Sequence, residues 1–177
     1  MENVNIKELL SRLGGKKIGR DSEKFRSYLM DASCIESLSA FLLDEWSGYG
    51  GDSGFGRLFL FDEILELNTD FRTIDASMLL VGNGANGDFN VIDLLTGIIG
   101  WLPISLFGYS SEELRGLAIF VDDNIVNFYW DSFNNKNSVP FDYWKATEYF
   151  PSQVDSELLN TPRTFNIEDL PDDADIE

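Results

Sequence analysis

Met78-Leu79-Leu80-Val81-Gly82-Asn83-Gly84-Ala85-Asn86-Gly87-Asp88-Phe89-Asn90-Val91-Ile92-Asp93 is the stretch on which the fold turns. Ser77 to Val81 is nearly all apolar, as a central strand covered on both faces requires. The run Gly82 to Gly87 interrupts it, five of its six positions being glycine or asparagine. Asp88 to Leu94 and Ile98 to Leu102 then read as a hairpin about Leu95-Thr96-Gly97. The glycine run fails as a phosphate cradle, because no Gly-Lys-Ser/Thr ending follows and the next element is a strand. A dinucleotide loop fails for want of the same helix. Asp88 and Asn90 have calcium-ligand chemistry, but the required glycine and a correctly spaced glutamate are missing. The remaining reading is a tight turn between two strands, with glycines supplying positive φ.

Upstream, Arg57 to Phe61 reads as a strand, and Asp62 is expected to cap a short turn of helix ending at Leu67. Ile6, Leu9, Leu10 and Leu13 form one apolar stripe, which predicts a helix over 3–13 stopped by Gly14-Gly15. Lys16 to Lys24 is a polar, basic connection. Ser33 and Glu36 form a capping box, and Ile35, Leu38, Leu42 and Trp46 give a helical face, so a second helix is expected over 34–46. Downstream, Gly116 to Val121 is a strand. Asp122-Asp123 is expected to cap a helix through Phe133, with Ile125, Val126, Tyr129 and Phe133 on one side. A further short helix over 140–150 is opened by Pro140. Helices, then antiparallel strands, then helices predict an α+β fold with a mostly antiparallel central sheet flanked by helices. One domain is expected over 1–160, followed by an acidic, partly disordered tail over 161–177.

The chain has 177 residues, 44% of them hydrophobic and 14% aromatic, enough for a bulky core without covalent staples. Its formal net charge is −18. Residues 1–26 carry seven basic and four acidic side chains, a net +3, which leaves −21 on the remainder. Such a body repels phosphate backbones and anionic membranes, so neither nucleic acid nor membrane is an expected partner. A basic protein is, because the field steers it in. Solubility alone is the simpler account of the charge. No window resembles a signal peptide or a membrane span, so a soluble cytoplasmic chain is expected.

Histidine is absent. This removes the commonest general base and metal ligand, and with them any Ser-His-Asp or Cys-His arrangement. The single cysteine, Cys34, excludes an intrachain disulfide and any multi-cysteine metal site; its place beside Ile35 suits a core thiol. Paired carboxylates at Asp44-Glu45, Asp62-Glu63, Glu112-Glu113 and Asp122-Asp123 leave a glycosidase-like pair open, but helix capping explains several more simply. Trp46, Trp101, Trp130 and Trp144 are core candidates. Trp101, close before Pro103 at a strand end, is the best candidate for partial exposure. No catalytic, cofactor or metal residue is assigned. Asp62, Glu63, Asp88, Trp101, Asp122 and Asp123 are the candidates for partner binding.

The segment from about Leu58 to Phe133 resembles the SUKH superfamily, which groups Smi–Knr type fungal cell-wall regulators with bacterial immunity proteins. Four features in order carry the resemblance. Leu58-Phe59-Leu60-Phe61 leads into Asp62-Glu63-Ile64-Leu65-Glu66-Leu67-Asn68. Met78 to Val81 runs into the glycine turn and Asp88. Phe89-Asn90-Val91-Ile92-Asp93 precedes the turn at Thr96-Gly97. A late helix, Ile125 to Phe133, ends in Ser132-Phe133. The family's consecutive glycines are interrupted here by Ala85-Asn86, and its leucine-proline start has no clear counterpart. The resemblance implies a toxin-neutralising immunity protein, with a basic nuclease as a fitting target. A regulatory or scaffolding module of the same fold, a carboxylate-dependent carbohydrate-active protein using Trp101, and a nucleic-acid mimic are the alternatives. No binding site carries over residue by residue.

Overall fold

The computed structural model of the chain describes residues 6–12, 16–17, 49–52, 56–84, 86–103, 108–134 and 142–160. The helix expected over 34–46, Cys34, Pro140 and the acidic tail over 161–177 lie outside them. The elements in chain order are α1 (Ile6–Arg12), β1 (Lys16–Lys17), β2 (Tyr49–Asp52), β3 (Gly56–Leu58), α2 (Phe61–Ile74), β4 (Met78–Gly84), β5 (Phe89–Asp93), β6 (Ile99–Leu102), α3 (Ser111–Leu117), β7 (Ile119–Asp122), α4 (Ile125–Asn134), α5 (Tyr143–Tyr149), a 3-10 turn (Pro151–Gln153) and α6 (Ser156–Asn160). The strands pair antiparallel in sequence order from β1 to β7, and with the helices make the expected α+β architecture.

The apolar run of β4 is explained by burial on both faces of the sheet. Leu79 and Val81 join Ile92, Ile99, Trp101 and Ile119 on one face, where Leu9 and Leu10 of α1, Phe128 and Tyr129 of α4, and Tyr143 and Ala146 of α5 pack. Met78 and Leu80 join Val91 and Leu102 on the other, against Phe71 of α2 and Leu114 of α3. A bulge between Leu80 and Gly82 shifts the β4–β5 register, and a second lies between β6 and β7 at Ile99–Gly100. At Gly100 a Cβ would lie 1.7 Å from the Ile119 carbonyl oxygen, so only glycine permits this approach of β6 to β7. Gly97, at φ 77°, closes the β5–β6 hairpin where the sequence places the turn.

α2 lies along the part of β4 that β3 leaves free. β3 pairs with Gly82, Asn83 and Gly84 only. At Leu80 the side chain of Asn68 takes the place of a strand: Leu80 N–H donates to Asn68 Oδ1 at 2.7 Å, and Asn68 Nδ2 donates to the Leu80 carbonyl at 2.8 Å. Asn68 is fully buried. Phe61 and Ile64 reach one core and Phe71 the other, so the helix straddles the sheet edge with Asn68 at its pivot.

Several local expectations are corrected. α2 does not stop at Leu67 but continues to Ile74, because Asn68 is a buried anchor and not an end. Glu63, not Asp62, serves its N-terminus, reaching back to the Leu60 N–H at 2.7 Å. Part of the glycine run, Gly82 to Gly84, belongs to β4, and the turn proper follows it, with Gly87 at φ 83°. Gly116 and Leu117 end a helix whose capping box is Ser110 with Glu113, and the strand begins only at Ile119. Asn124 caps α4 by accepting from Val126 and Asn127 N–H, and Asp142 caps α5 by accepting from Lys145 N–H.

Asn68→Leu leaves a buried N–H and C=O of Leu80 without partners. It is expected to lower the unfolding free energy by about 2–4 kcal/mol in urea denaturation. Gly100→Ala forces backbone apart and is expected to cost at least about 2 kcal/mol in the same assay.

Candidate functional site

The spacing of acids along α2 creates a sided surface. Glu63, Glu66 and Asp70 fall at i, i+3 and i+7 and so share one flank of the helix. Leu67, Phe71 and Ile74 follow each of them by one or four positions; Phe71 and Ile74 turn toward the second core, and Leu67 stays exposed beside them. Because α2 is pivoted at the sheet edge, its later half does not close fully on the sheet. An open groove of about 700 Å³ remains, floored by Phe59, Phe71, Leu80 and Phe89 and bordered by Leu67 and Ile74. Arg57, Glu63, Glu66 and Asp70 stand around it. Leu67 is 39% exposed, large for a leucine beside a cavity.

The charges of the groove are uneven along its length. Arg57 pairs with Glu63 and stacks its guanidinium 5.7 Å from the Phe59 ring centroid. That end is neutralised. Among the described residues no basic side chain pairs with Glu66 or Asp70. Arg72, in the last turn, donates to the Ala76 carbonyl and does not line the groove.

Three buried carboxylates, Asp75, Asp88 and Asp93, belong to the scaffold. Asp75, after α2, accepts from Ser77 N–H at 2.8 Å, from Ser77 and Ser111 hydroxyls, and from Arg115 Nε at 3.0 Å. Burial raises this carboxyl, but the Ser77 and Ser111 bonds and the Arg115 charge outweigh it and hold it below its ordinary value. Arg115 also lies 3.7 Å from Asp93, so one guanidinium ties α3 to the end of the β4–β5 pair where β4 begins and β5 finishes. Asp88 is fully buried, and its Oδ2 accepts from Tyr143 N–H at 2.9 Å. Among the described residues its Oδ1 has no partner. Burial, with Asp142 adding, pushes the Asp88 carboxyl up against the opposing Tyr143 bond.

The six candidate binding residues do not form one site. Only Glu63 borders the groove. Asp62 is exposed on the first turn of α2. Asp122 ends β7 and Asp123 follows it, four strands from β3 and so about 19 Å across the sheet. Asp122 is half-buried, and burial, with Asp123 and Asp131, raises its carboxyl while Asn124 N–H opposes. Trp101 is not a partly exposed aromatic: it is 1% exposed, with its ring 4.9 Å from that of Phe128. Strand alternation puts it in the first core, where its nearness to Pro103 has no bearing. Asp88 is likewise interior and unavailable to a partner. Sequence reasoning missed Glu66, Leu67 and Asp70. Glu66 and Leu67 fell inside the expected helix with nothing local to single them out, and the signal for Asp70 was the continuation of the helical period past Asn68.

Compared with family models, with curated proteins and with solved structures, the chain finds no significant match. Among the described residues, no helix is long and apolar enough to cross a membrane.

A carboxyl raised by folding binds its proton more tightly in the folded chain, so its contribution is present at low pH and is lost as pH rises through the folded value. A lowered carboxyl does the reverse, losing its contribution as pH falls. Asp88→Asn is therefore expected to gain stability relative to the unchanged chain as pH rises from about 4 to 7, and Asp75→Asn to lose stability relative to it as pH rises from about 2 to 5, with little further change above that. Urea denaturation across each interval checks this; differences that do not change with pH contradict it.

Proposed function

We propose that this chain is a non-enzymatic, cytoplasmic binding protein for a basic protein partner. Its role in this reading is the immunity type: it occupies the surface with which a toxin, such as a nuclease, grips its own anionic substrate. The groove between α2 and the sheet is the observation that carries the reading. It joins an apolar floor to carboxylates at Glu66 and Asp70 that lack basic partners among the described residues. Apolar contact supplies affinity, and the acidic rim selects for positive charge. The net charge of −18 supports the same choice by speeding encounter with a cation and opposing nucleic acid. The order of strand, acidic helix, asparagine, strand and glycine turn supports the SUKH-like family reading, and the immunity role enters with it.

The test is direct binding and inhibition. Polypeptides encoded beside the gene, and a panel of basic nuclease domains, are titrated with the full chain at about 50 and 300 mM salt. The expected result is stoichiometric loss of toxin activity by one of them, with affinity falling at least about tenfold at the higher salt. No inhibition across the neighbours and panel, or binding indifferent to salt, overturns the reading.

A further inference from the structure

The groove has a volume, an apolar floor and a charge direction, and together these describe what fits it. Its volume of about 700 Å³ takes a few side chains. A whole helix, about 10–12 Å across, does not enter it. Its occupant must therefore lie over the opening and lower large apolar side chains between Leu67, Ile74 and Phe89. Glu66 and Asp70 stand one helical turn apart, about 6 Å along α2. Arg57, already paired with Glu63, removes the attraction from the opposite end.

Resting on the acidic-binding reading, we propose that the groove docks an amphipathic segment of the partner protein. That segment places one or two leucine- or phenylalanine-sized anchors on the floor and sets lysine or arginine side chains against Glu66 and Asp70. Neither half of this chemistry suffices. A purely basic segment finds two solvent-exposed carboxylates, each pair worth little in water. A purely apolar one leaves those carboxylates facing it without compensation. The combination gives a buried centre with a charged rim, the arrangement in which a few anchors carry most of the affinity.

The probe is a synthetic amphipathic peptide of about 15 residues with leucines on one helical face and lysines beside it, long enough to span α2. A matched peptide keeps every lysine and replaces the leucines by serine. Each is titrated into the full chain at low salt while backbone amide shifts are followed. The leucine peptide is expected to move the amides of Leu67, Phe71, Ile74 and Phe89, and to bind at least about tenfold more tightly than the serine peptide. Leu67→Asp and the double variant Glu66→Lys with Asp70→Lys are each expected to weaken the leucine peptide at least about tenfold. All three positions are exposed, so these variants are expected to fold; thermal unfolding and an unchanged shift pattern away from α2 verify it. Equal binding of both peptides, with shifts confined to other acidic surfaces such as Asp122-Asp123, overturns the groove and leaves the acidic-binding reading standing. Binding of neither peptide at low salt counts against both.

Discussion

Two hydrogen bonds between the Asn68 side chain and the backbone of Leu80 decide how this protein is put together. A central strand needs partners on both edges, and β3 is too short to serve all of β4. An amide side chain has the same donor and acceptor as a peptide group, so one asparagine completes the edge. The cost of burying an amide is met only if both bonds form, which makes the attachment of α2 all-or-none in position. From that pivot the early turns of the helix enter one core and the later turns approach the other. The groove is the gap left on the second side.

The interior polar groups divide the labour differently. Asp75, Ser77, Ser111, Arg115 and Asp93 hold α3 against the β4–β5 pair through charge-assisted bonds. They are well satisfied and behave as a fastening. Asp88 is less well satisfied, with one oxygen bonded to the start of α5 and the other without a partner among the described residues. It fixes where α5 begins at the cost of favouring its own proton. Neither group lines the groove, and the acidic character presented there comes from α2 alone.

Much of the fold was legible because its signals were local. The apolar run of β4, the glycine turn and the Thr96-Gly97 hairpin each follow from the backbone preferences of a few adjacent residues. The site was less legible because its determinants are tertiary. Glu66 and Asp70 are two of 31 acidic residues, and nothing local distinguishes them from the rest. They become distinct only when α2 runs on past Asn68, and a polar residue in a helical stripe reads as an ending unless its partner on β4 is known. Trp101 was misread for the opposite reason. A neighbouring proline suggested a fraying strand, whereas alternation along β6 already pointed its side chain inward with Ile99. The box Ser110 with Glu113 announced α3 in the sequence and was passed over among the acidic pairs.

Amide hydrogen exchange at Leu80 tests the Asn68 pivot most directly. If Asn68 replaces a strand, the Leu80 amide exchanges only with global unfolding, and its opening free energy matches that from urea denaturation. Exchange of Leu80 through small local openings, while Leu79 and Val91 stay protected, would contradict the pivot and with it the position of α2 that defines the groove.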